Sequence, residues 1–203
     1  MNSQSKSSID VSDRVFRILT VGMLVLSILA LAFAPRLMPS GYNWLRNTTS
    51  ESAAQSTPGA WLGRLGFLLF GLAVLWLAAR LKTKWTPPTR LLLGAFGVLM
   101  IATAAFSHKP WFPGLPVDKF EDSLHSFAAT AMGFAFAIGV MLRLLERGQD
   151  RLGQIFDLVA VVAAVAIPLA MNSLPEWDGL LQRSMFGIAY VWYALEVLRG
   201  GEL

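Results

Sequence analysis

The chain has no cysteine among its 203 residues. Disulfide bonds, zinc sites with thiolate ligands and cysteine nucleophiles are therefore excluded, while the redox compartment stays undecided. The sequence has two histidines, so a hydrolytic zinc site with three histidine ligands is excluded as well. It contains no glycine-rich phosphate loop, no G-x-S-x-G elbow and no H-E-x-x-H motif. The sequence therefore lacks the signature motifs of several common enzyme classes.

Charged residues are also scarce in this sequence. They make up 15% of the chain, against about 25% in an average soluble domain. Hydrophobic residues make up 55%, and the charges lie in short clusters between long apolar runs. This pattern is typical of an integral membrane protein. We therefore predict an all-α fold, a polytopic bundle of six transmembrane helices whose first partner is the lipid bilayer.

Six apolar segments divide the chain. The predicted spans are residues 15–34, 60–81, 91–106, 124–145, 152–170 and 179–198, which together form a transmembrane domain over residues 15–199. Residues 1–14 are predicted to form a mobile polar tail in the cytoplasm, with Asp13 as a helix N-cap. Residues 35–59 form the longest outer loop. In this loop the run Thr48-Thr49-Ser50 with Glu51 could cap a short helix lying on the surface.

The end of the first span, Ala32-Phe33-Ala34, also resembles a signal-peptidase site. The uncharged run that ends with it, residues 18–34, is 17 residues long, and Pro35 follows directly. This length exceeds that of the usual apolar region of a signal peptide, and the proline hinders cleavage. We therefore favour a retained span.

The distribution of lysine and arginine predicts the topology. Eleven of the 17 lie in the N-terminal tail, in the turns after the second and fourth spans and at the C-terminus, and six lie on the opposite side. The positive-inside rule then places both termini in the cytoplasm, in a multi-pass protein of the inner (plasma) membrane. Since this asymmetry accounts for the net charge of +4, nucleic acid is not expected as a partner.

The fourth span begins with a polar face. At about 100° per residue, Asp118, Asp122 and His125 share one side of a helix at the membrane boundary. Carboxylate and imidazole ligands suit zinc or manganese. Acidic residues in the first turn are also explained by the helix dipole alone. A metal at these three residues is therefore a weak hypothesis, and no other cofactor is predicted.

The same span carries a ridge of small residues. Ala129, Gly133 and Ala137 recur every four residues, and such a ridge allows close helix packing in a membrane. We therefore expect the fourth span to lie in the middle of the bundle.

Polar residues from several segments gather at the predicted outer boundary of the membrane. Ionisable groups at this depth are costly and usually face a partner or a water-filled cavity. We predict an outward-facing polar pocket that binds a lipid headgroup or a small polar ligand. Its candidate residues are Glu51, Arg64, Asp118, Asp122, His125, Gln182 and Arg183. The alternative is a set of solvated loop charges and ion pairs that fix the helix ends.

Three stretches together resemble a six-span prokaryotic membrane family of unknown function, with a histidine in its fourth span. They are residues 42–51 with 58–61, residues 124–128, and residues 179–183 followed by Gly187. The resemblance implies this fold and topology over nearly the whole chain after residue 14, and it brings no activity. It points to Glu51, His125, Gln182 and Arg183. Ser52 stands where an apolar residue is expected, which implies looser docking of the short loop helix.

Two other functions remain open from the sequence. One is an intramembrane hydrolase, metal-assisted or not, with His125 as general base and Asp122 or Glu51 orienting it. The other is a structural or accessory subunit that packs against a partner. Glycine-rich helix faces also allow a homo-oligomer.

Overall fold

The computed structural model describes residues 3–81 and 83–200, with side chains for residues 13–81 and 83–199. This part of the chain is helical and contains no strand. Its helices are α1 (Ser3–Phe33), α2 (Ala60–Arg80), α3 (Pro87–Ala105), α4 (Lys119–Glu146), α5 (Arg151–Ser173) and α6 (Asp178–Gly200). The all-α fold class is therefore confirmed.

Five helices of the described chain, α1 to α5, are long and apolar enough to cross a membrane. Helix α6 is as long as α5, with 23 residues each. It is less apolar because it carries charged side chains at Asp178, Arg183, Glu196 and Arg199. The membrane architecture thus rests on α1 to α5, and the count of six spans stays a prediction.

The helices form a ring in chain order. Each helix packs against the next one, and α1 also packs against α6, which closes the ring. Among the six neighbouring pairs of described helices, α1 and α6 share the least extensive contact.

The two ends of the bundle differ. At one end, which we call the turn end, α2 connects to α3 and α4 connects to α5 through short turns. The beginning of α1 and the end of α6 lie there too, because Asp13 pairs with Arg80 and Lys84 Nζ donates to the backbone oxygen of Arg199 at 2.9 Å. The opposite end, the loop end, carries the three other connections. Which end faces the cytoplasm stays a prediction.

Helix α1 begins at Ser3, well before the predicted start at residue 15. No proline or glycine interrupts residues 3–14, so a helix formed by the apolar part can extend through them at little cost. Asp13 lies inside α1 and is 8% exposed, where it pairs with Arg80. The prediction of an N-cap at Asp13 is therefore wrong, while the mobility and the cytoplasmic location of the N-terminal residues stay predictions.

The middle of the bundle is aromatic. Phe70 of α2 and Tyr193 of α6 are both fully buried. The Phe70 ring stacks on Tyr190 with centroids 4.0 Å apart, and Phe96 and Phe136 extend the cluster from α3 and α4. Aromatic rings in such clusters stabilise a core beyond the area that they bury.

The small-residue ridge of α4 does not make the predicted close contact. A Cβ atom added at Gly133 would meet no atom within 4 Å. The close approach occurs between α2 and α3, where a Cβ atom at Gly71 would lie 2.6 Å from the backbone oxygen of Gly97. The expectation that α4 is the central helix is therefore wrong.

Candidate functional site

The loop between α1 and α2 folds back over the loop end of the bundle. Glu51 Oε2 accepts from the backbone N of Thr48 at 2.6 Å, and Thr48 Oγ1 accepts from the backbone N of Glu51 at 3.2 Å. This reciprocal pair is a capping box, and it starts a short 3-10 helix over Glu51–Ala53. Glu51 therefore has a structural role in the loop.

The short loop helix is buried, contrary to the expected surface position. Ser52 is fully buried, and its Oγ donates to the backbone oxygen of Thr49 at 2.7 Å. A Cβ atom at Gly63 of α2 would lie 2.8 Å from the backbone oxygen of Ser52. The backbone of the loop at Ser52 therefore lies almost in contact with α2 at Gly63. The expected loose docking of the loop helix is wrong.

His125 connects α4 to two loops. Its Nδ1 lies 2.8 Å from the backbone oxygen of Phe106, and its Nε2 lies 3.1 Å from Ser50 Oγ. Because a carbonyl oxygen can only accept, Nδ1 carries the hydrogen, and in the neutral ring Nε2 accepts from Ser50. His125 and Ser50 are 2% and 8% exposed. From a buried position, His125 thus links α4 to the two loops that contain Phe106 and Ser50.

The two aspartates near His125 have other partners. Asp118 is the N-cap of α4, and its Oδ1 accepts from two backbone N–H groups of the first turn. Asp122 Oδ1 accepts from the backbone N of Lys109 at 2.9 Å and lies 3.9 Å from His108 Nε2. In the described chain no three histidine or acidic side chains group as metal ligands. Asp118, Asp122 and His125 therefore do not form the suggested metal site.

Gln182 and Arg183 bind the loop from α6. Gln182 Oε1 accepts from the backbone N of Thr49 at 2.7 Å. Arg183 Nη2 donates to Tyr42 Oη at 2.7 Å, and burial raises the pKa of this phenol although Arg183 opposes the shift. The carbonyl oxygens around Arg183 Nη1 belong to Trp44 at 2.6 Å, Asn47 at 2.8 Å and Gly179 at 2.9 Å.

Arg64 occupies the other side of the loop end. Its Nε and Nη2 donate to the backbone oxygens of Ala53 and Ala54, at 3.1 and 3.2 Å. It lines an open cleft of about 770 Å³ together with Asp118 and Glu121.

The structure thus divides the seven predicted residues between two cavities and a hydrogen-bonded framework. Arg64 and Asp118 line the open cleft. Arg183 lines a separate groove of about 370 Å³ between α1 and α6. The remaining four hold the loops and helix ends together, and these are Glu51, Asp122, His125 and Gln182.

Arg64 and Arg183 share an electrostatic property. Both are half-buried, and all their described hydrogen bonds go to neutral carbonyl or hydroxyl oxygens. Within the described part of the chain, neither has a carboxylate within 4.0 Å. Arg183 therefore presents an unneutralised positive charge to a groove that no carboxylate lines, whereas the cleft of Arg64 is also lined by Asp118 and Glu121.

A family model described as a protein of unknown function (DUF998) matches residues 18–199. The chain belongs to the DUF998 family. This match spans nearly all of the helical ring, in agreement with the family resemblance of the sequence. No curated protein and no solved structure matches the chain. Family membership thus supports a helical membrane protein and supplies no activity.

The turn end of this DUF998 chain holds a polar cluster that the sequence analysis missed. Arg147 Nε and Nη2 donate to Asp157 Oδ2 and Oδ1 at 2.6 and 2.7 Å. Arg147 Nη2 also lies 2.7 Å from Glu196 Oε1, and Trp192 Nε1 donates to Asp157 Oδ1 at 2.7 Å. Glu196 Oε2 accepts from Arg143 Nε at 3.1 Å.

Arg143 and Arg147 belong to the basic turn after the fourth span, whose charges enter the positive-inside rule. The available signal was the pair of acidic residues inside apolar spans, Asp157 and Glu196. A carboxylate at that depth requires a cationic partner, and the nearest turn supplies it.

Proposed function

We propose that this DUF998 protein binds an anionic group at its loop end, either a lipid headgroup or a small anion. The observation that carries the proposal is Arg183, a half-buried arginine in a groove that no carboxylate lines. Arg64 likewise has no carboxylate within 4.0 Å among the described residues, although Asp118 and Glu121 line the same cleft. Charged groups at membrane depth are costly unless they are paired or face a polar cavity. An anion in the cavity would supply the missing charge.

The two ends of the molecule support this interpretation. At the turn end, the cleft is lined by Arg143, Arg147 and Arg199, and each of these lies within 4.0 Å of a carboxylate. Its charges are therefore largely compensated within the fold. Guanidinium groups form strong, directional hydrogen bonds to phosphate and carboxylate. The loop-end arginines are thus suited to an external anion.

Ligand-dependent stabilisation tests the proposal. A ligand at 100 times its Kd stabilises the native state by about 2.7 kcal/mol. Glycerol phosphate or phosphatidylglycerol should raise the Tm of the purified protein, and Arg64→Gln or Arg183→Gln should reduce this rise. Arg46→Gln is the matched control, because Arg46 is an exposed arginine of the same loop end. Equal stabilisation of all variants at matched ionic strength, or none in the wild type, would refute the proposal.

A second candidate function rests on the contact of 3.1 Å between Ser50 Oγ and His125 Nε2. A hydroxyl next to an imidazole whose other nitrogen is held by a third group is the arrangement of a nucleophile and its base. The orienting group here is the backbone oxygen of Phe106. Asp122 and Glu51, which were expected in that role, bond the backbone of Lys109 and Thr48.

A fluorophosphonate probe tests this hydrolase hypothesis. Labelling of Ser50 that disappears in His125→Ala and persists in Thr49→Val would support it. Absence of labelling in the folded wild-type protein would leave His125 as a structural junction.

We also propose that the loop end faces outward from the inner membrane and that both termini are cytoplasmic. The positive charge of the turn end supports this orientation. Because the chain has no cysteine, single cysteines can be introduced without background. An impermeant maleimide on intact cells should label Ser40→Cys in the loop end and spare Gln149→Cys in the turn after α4. The reverse pattern would invert the topology. A homo-oligomer or an accessory role stays a prediction.

A further inference from the structure

The groove between α1 and α6 has a polar head and an apolar body. Arg183 and Thr49 line it at the loop end. Ile28 and Leu31 of α1 and Phe186 and Val191 of α6 line the rest.

The length of the groove fits more than a headgroup. Val191 lies eight residues beyond Arg183, which corresponds to about 12 Å along a helix axis. The groove follows the pair of helices with the least extensive contact in the described ring, and its walls below Arg183 are largely apolar side chains of α1 and α6. An extended hydrocarbon chain matches this shape and polarity, whereas a small soluble anion would leave the apolar walls without contact.

The head of the groove contains two side chains whose hydrogen-bonding capacity the described fold leaves partly unused. Arg183 carries a charge with no carboxylate within 4.0 Å in the described chain, and its hydrogen bonds to the described residues use Nη1 and Nη2. Thr49 is 1% exposed, and its Oγ1 has no hydrogen-bond partner among the described residues. A buried hydroxyl without a partner is uncommon in proteins. A phosphate oxygen at this position would accept from both groups.

We propose that this groove binds an anionic phospholipid, with its phosphate at Arg183 and Thr49 and one acyl chain between α1 and α6. The inference rests on the proposed anion binding at the loop end and specifies its ligand at Arg183. The lipid would enter sideways from the bilayer, because the groove opens between two neighbouring helices of the ring.

A substitution at one glycine can test the groove directly. Gly187 lines it, and lines a neighbouring groove between α5 and α6 as well, and a Cβ atom added there would meet no atom within 4 Å outside its own helix turn. Gly187→Leu should therefore fill the groove without disturbing the helix packing. Gly133→Leu is the matched control, because Gly133 is equally open, lies in the middle of α4 and lines none of the described cavities. Leucine also favours a helix more than glycine at both positions.

Thr49→Val gives a second, independent variant. Valine keeps the shape of threonine and removes a hydroxyl that makes no hydrogen bond within the described fold. The backbone N of Thr49, which donates to Gln182 Oε1, is unaffected by the substitution. Loss of one hydrogen bond to the ligand should weaken binding by about threefold to tenfold.

The experiment is native mass spectrometry of the purified protein, titrated with phosphatidylglycerol and, separately, with diacylglycerol of the same acyl chains. The wild type should bind phosphatidylglycerol at least about tenfold more tightly, because diacylglycerol lacks the phosphate that Arg183 would bind. Gly187→Leu should lose this binding by a similar factor, Thr49→Val by the smaller factor given above, and Gly133→Leu should bind as the wild type does.

The failures are distinguishable. Binding of phosphatidylglycerol to Gly187→Leu at wild-type strength would overturn the groove assignment. If glycerol phosphate still raised the Tm of the wild type in that case, the proposed anion site would stand without the assignment of a lipid to the groove. A wild type that neither prefers phosphatidylglycerol nor responds to glycerol phosphate would overturn both.

Discussion

Replacing Asp157 by asparagine tests whether the turn-end ion pair holds the bundle together. Asp157 is fully buried and accepts two hydrogen bonds from Arg147 and one from Trp192. Asparagine has the same shape, but its amide nitrogen cannot accept from a guanidinium. Removal of one partner of a buried ion pair costs about 3–5 kcal/mol, because the other charge stays buried. Since Glu196 still contacts Arg147 at 2.7 Å, we expect about 3 kcal/mol, the lower end of that range.

Asp150→Asn is the matched control for this prediction. Asp150 contacts the same arginine, with 3.8 Å between Asp150 Oδ2 and Arg147 Nη1, but its side chain is 41% exposed. Exposed ion pairs contribute about 0–1 kcal/mol. Asparagine also keeps the cap in which Asp150 Oδ1 accepts from the backbone N of Gly153 at 2.9 Å. Removing the same charge here should therefore cost less than about 1 kcal/mol.

The assay is reversible unfolding of the protein in mixed micelles with an increasing mole fraction of dodecyl sulfate, followed by circular dichroism. The free energy of unfolding of Asp157→Asn should lie at least about 2 kcal/mol below that of Asp150→Asn, by the two ranges above. Equal losses for the two variants would mean that burial does not set the strength of this pair, and the reasoning would fail.

Three further predictions use the same preparation. Gly71→Ala should cost about 1–3 kcal/mol by pushing against the backbone of Gly97, whereas Gly133→Ala should be neutral or stabilise by up to about 1 kcal/mol; equal effects would contradict the packing. Gln55→Leu removes three hydrogen bonds to the backbone of other loop-end segments. It should lower the free energy of unfolding by about 1–3 kcal/mol and speed hydrogen exchange in the loop-end segments. Unchanged exchange would contradict the hydrogen-bonded framework. The raised pKa of Tyr42, due first to burial, means that the neutral phenol is favoured in the fold. Stability should therefore fall as the pH rises from about 10 towards the raised folded pKa, and this loss should be absent in Tyr42→Phe.

The helices were predictable from hydropathy for a physical reason. A chain in hydrocarbon must satisfy its backbone hydrogen bonds internally and show apolar side chains to the lipid, and both requirements leave long uncharged runs in the sequence. The same signal says nothing about polar residues that extend a helix beyond the membrane. Helix α1 therefore begins earlier than predicted, at Ser3, and α4 begins at Lys119.

The sequence showed that the polar loop-end residues lie at the same end of the bundle. It did not show which of them line cavities and which hold the loops together. Asp122 and His125 lie close in sequence, yet one bonds Lys109 and the other bonds Phe106 and Ser50. These contacts depend on the path of two loops, which hydropathy does not encode. The capping box of Thr48 and Glu51 was predictable because its partners are three residues apart.

Closure of the ring between α1 and α6 has a consequence for biosynthesis. Of the six helices, the ribosome makes α1 first and α6 last, so α1 can pack against α2 early but must wait for α6 until the others have been inserted. During this interval the side of α1 that carries Ile28 is in contact with lipid. The seam between α1 and α6 is thus the final one to form, and a lipid present there can be enclosed during assembly, before any equilibrium exchange with the mature protein.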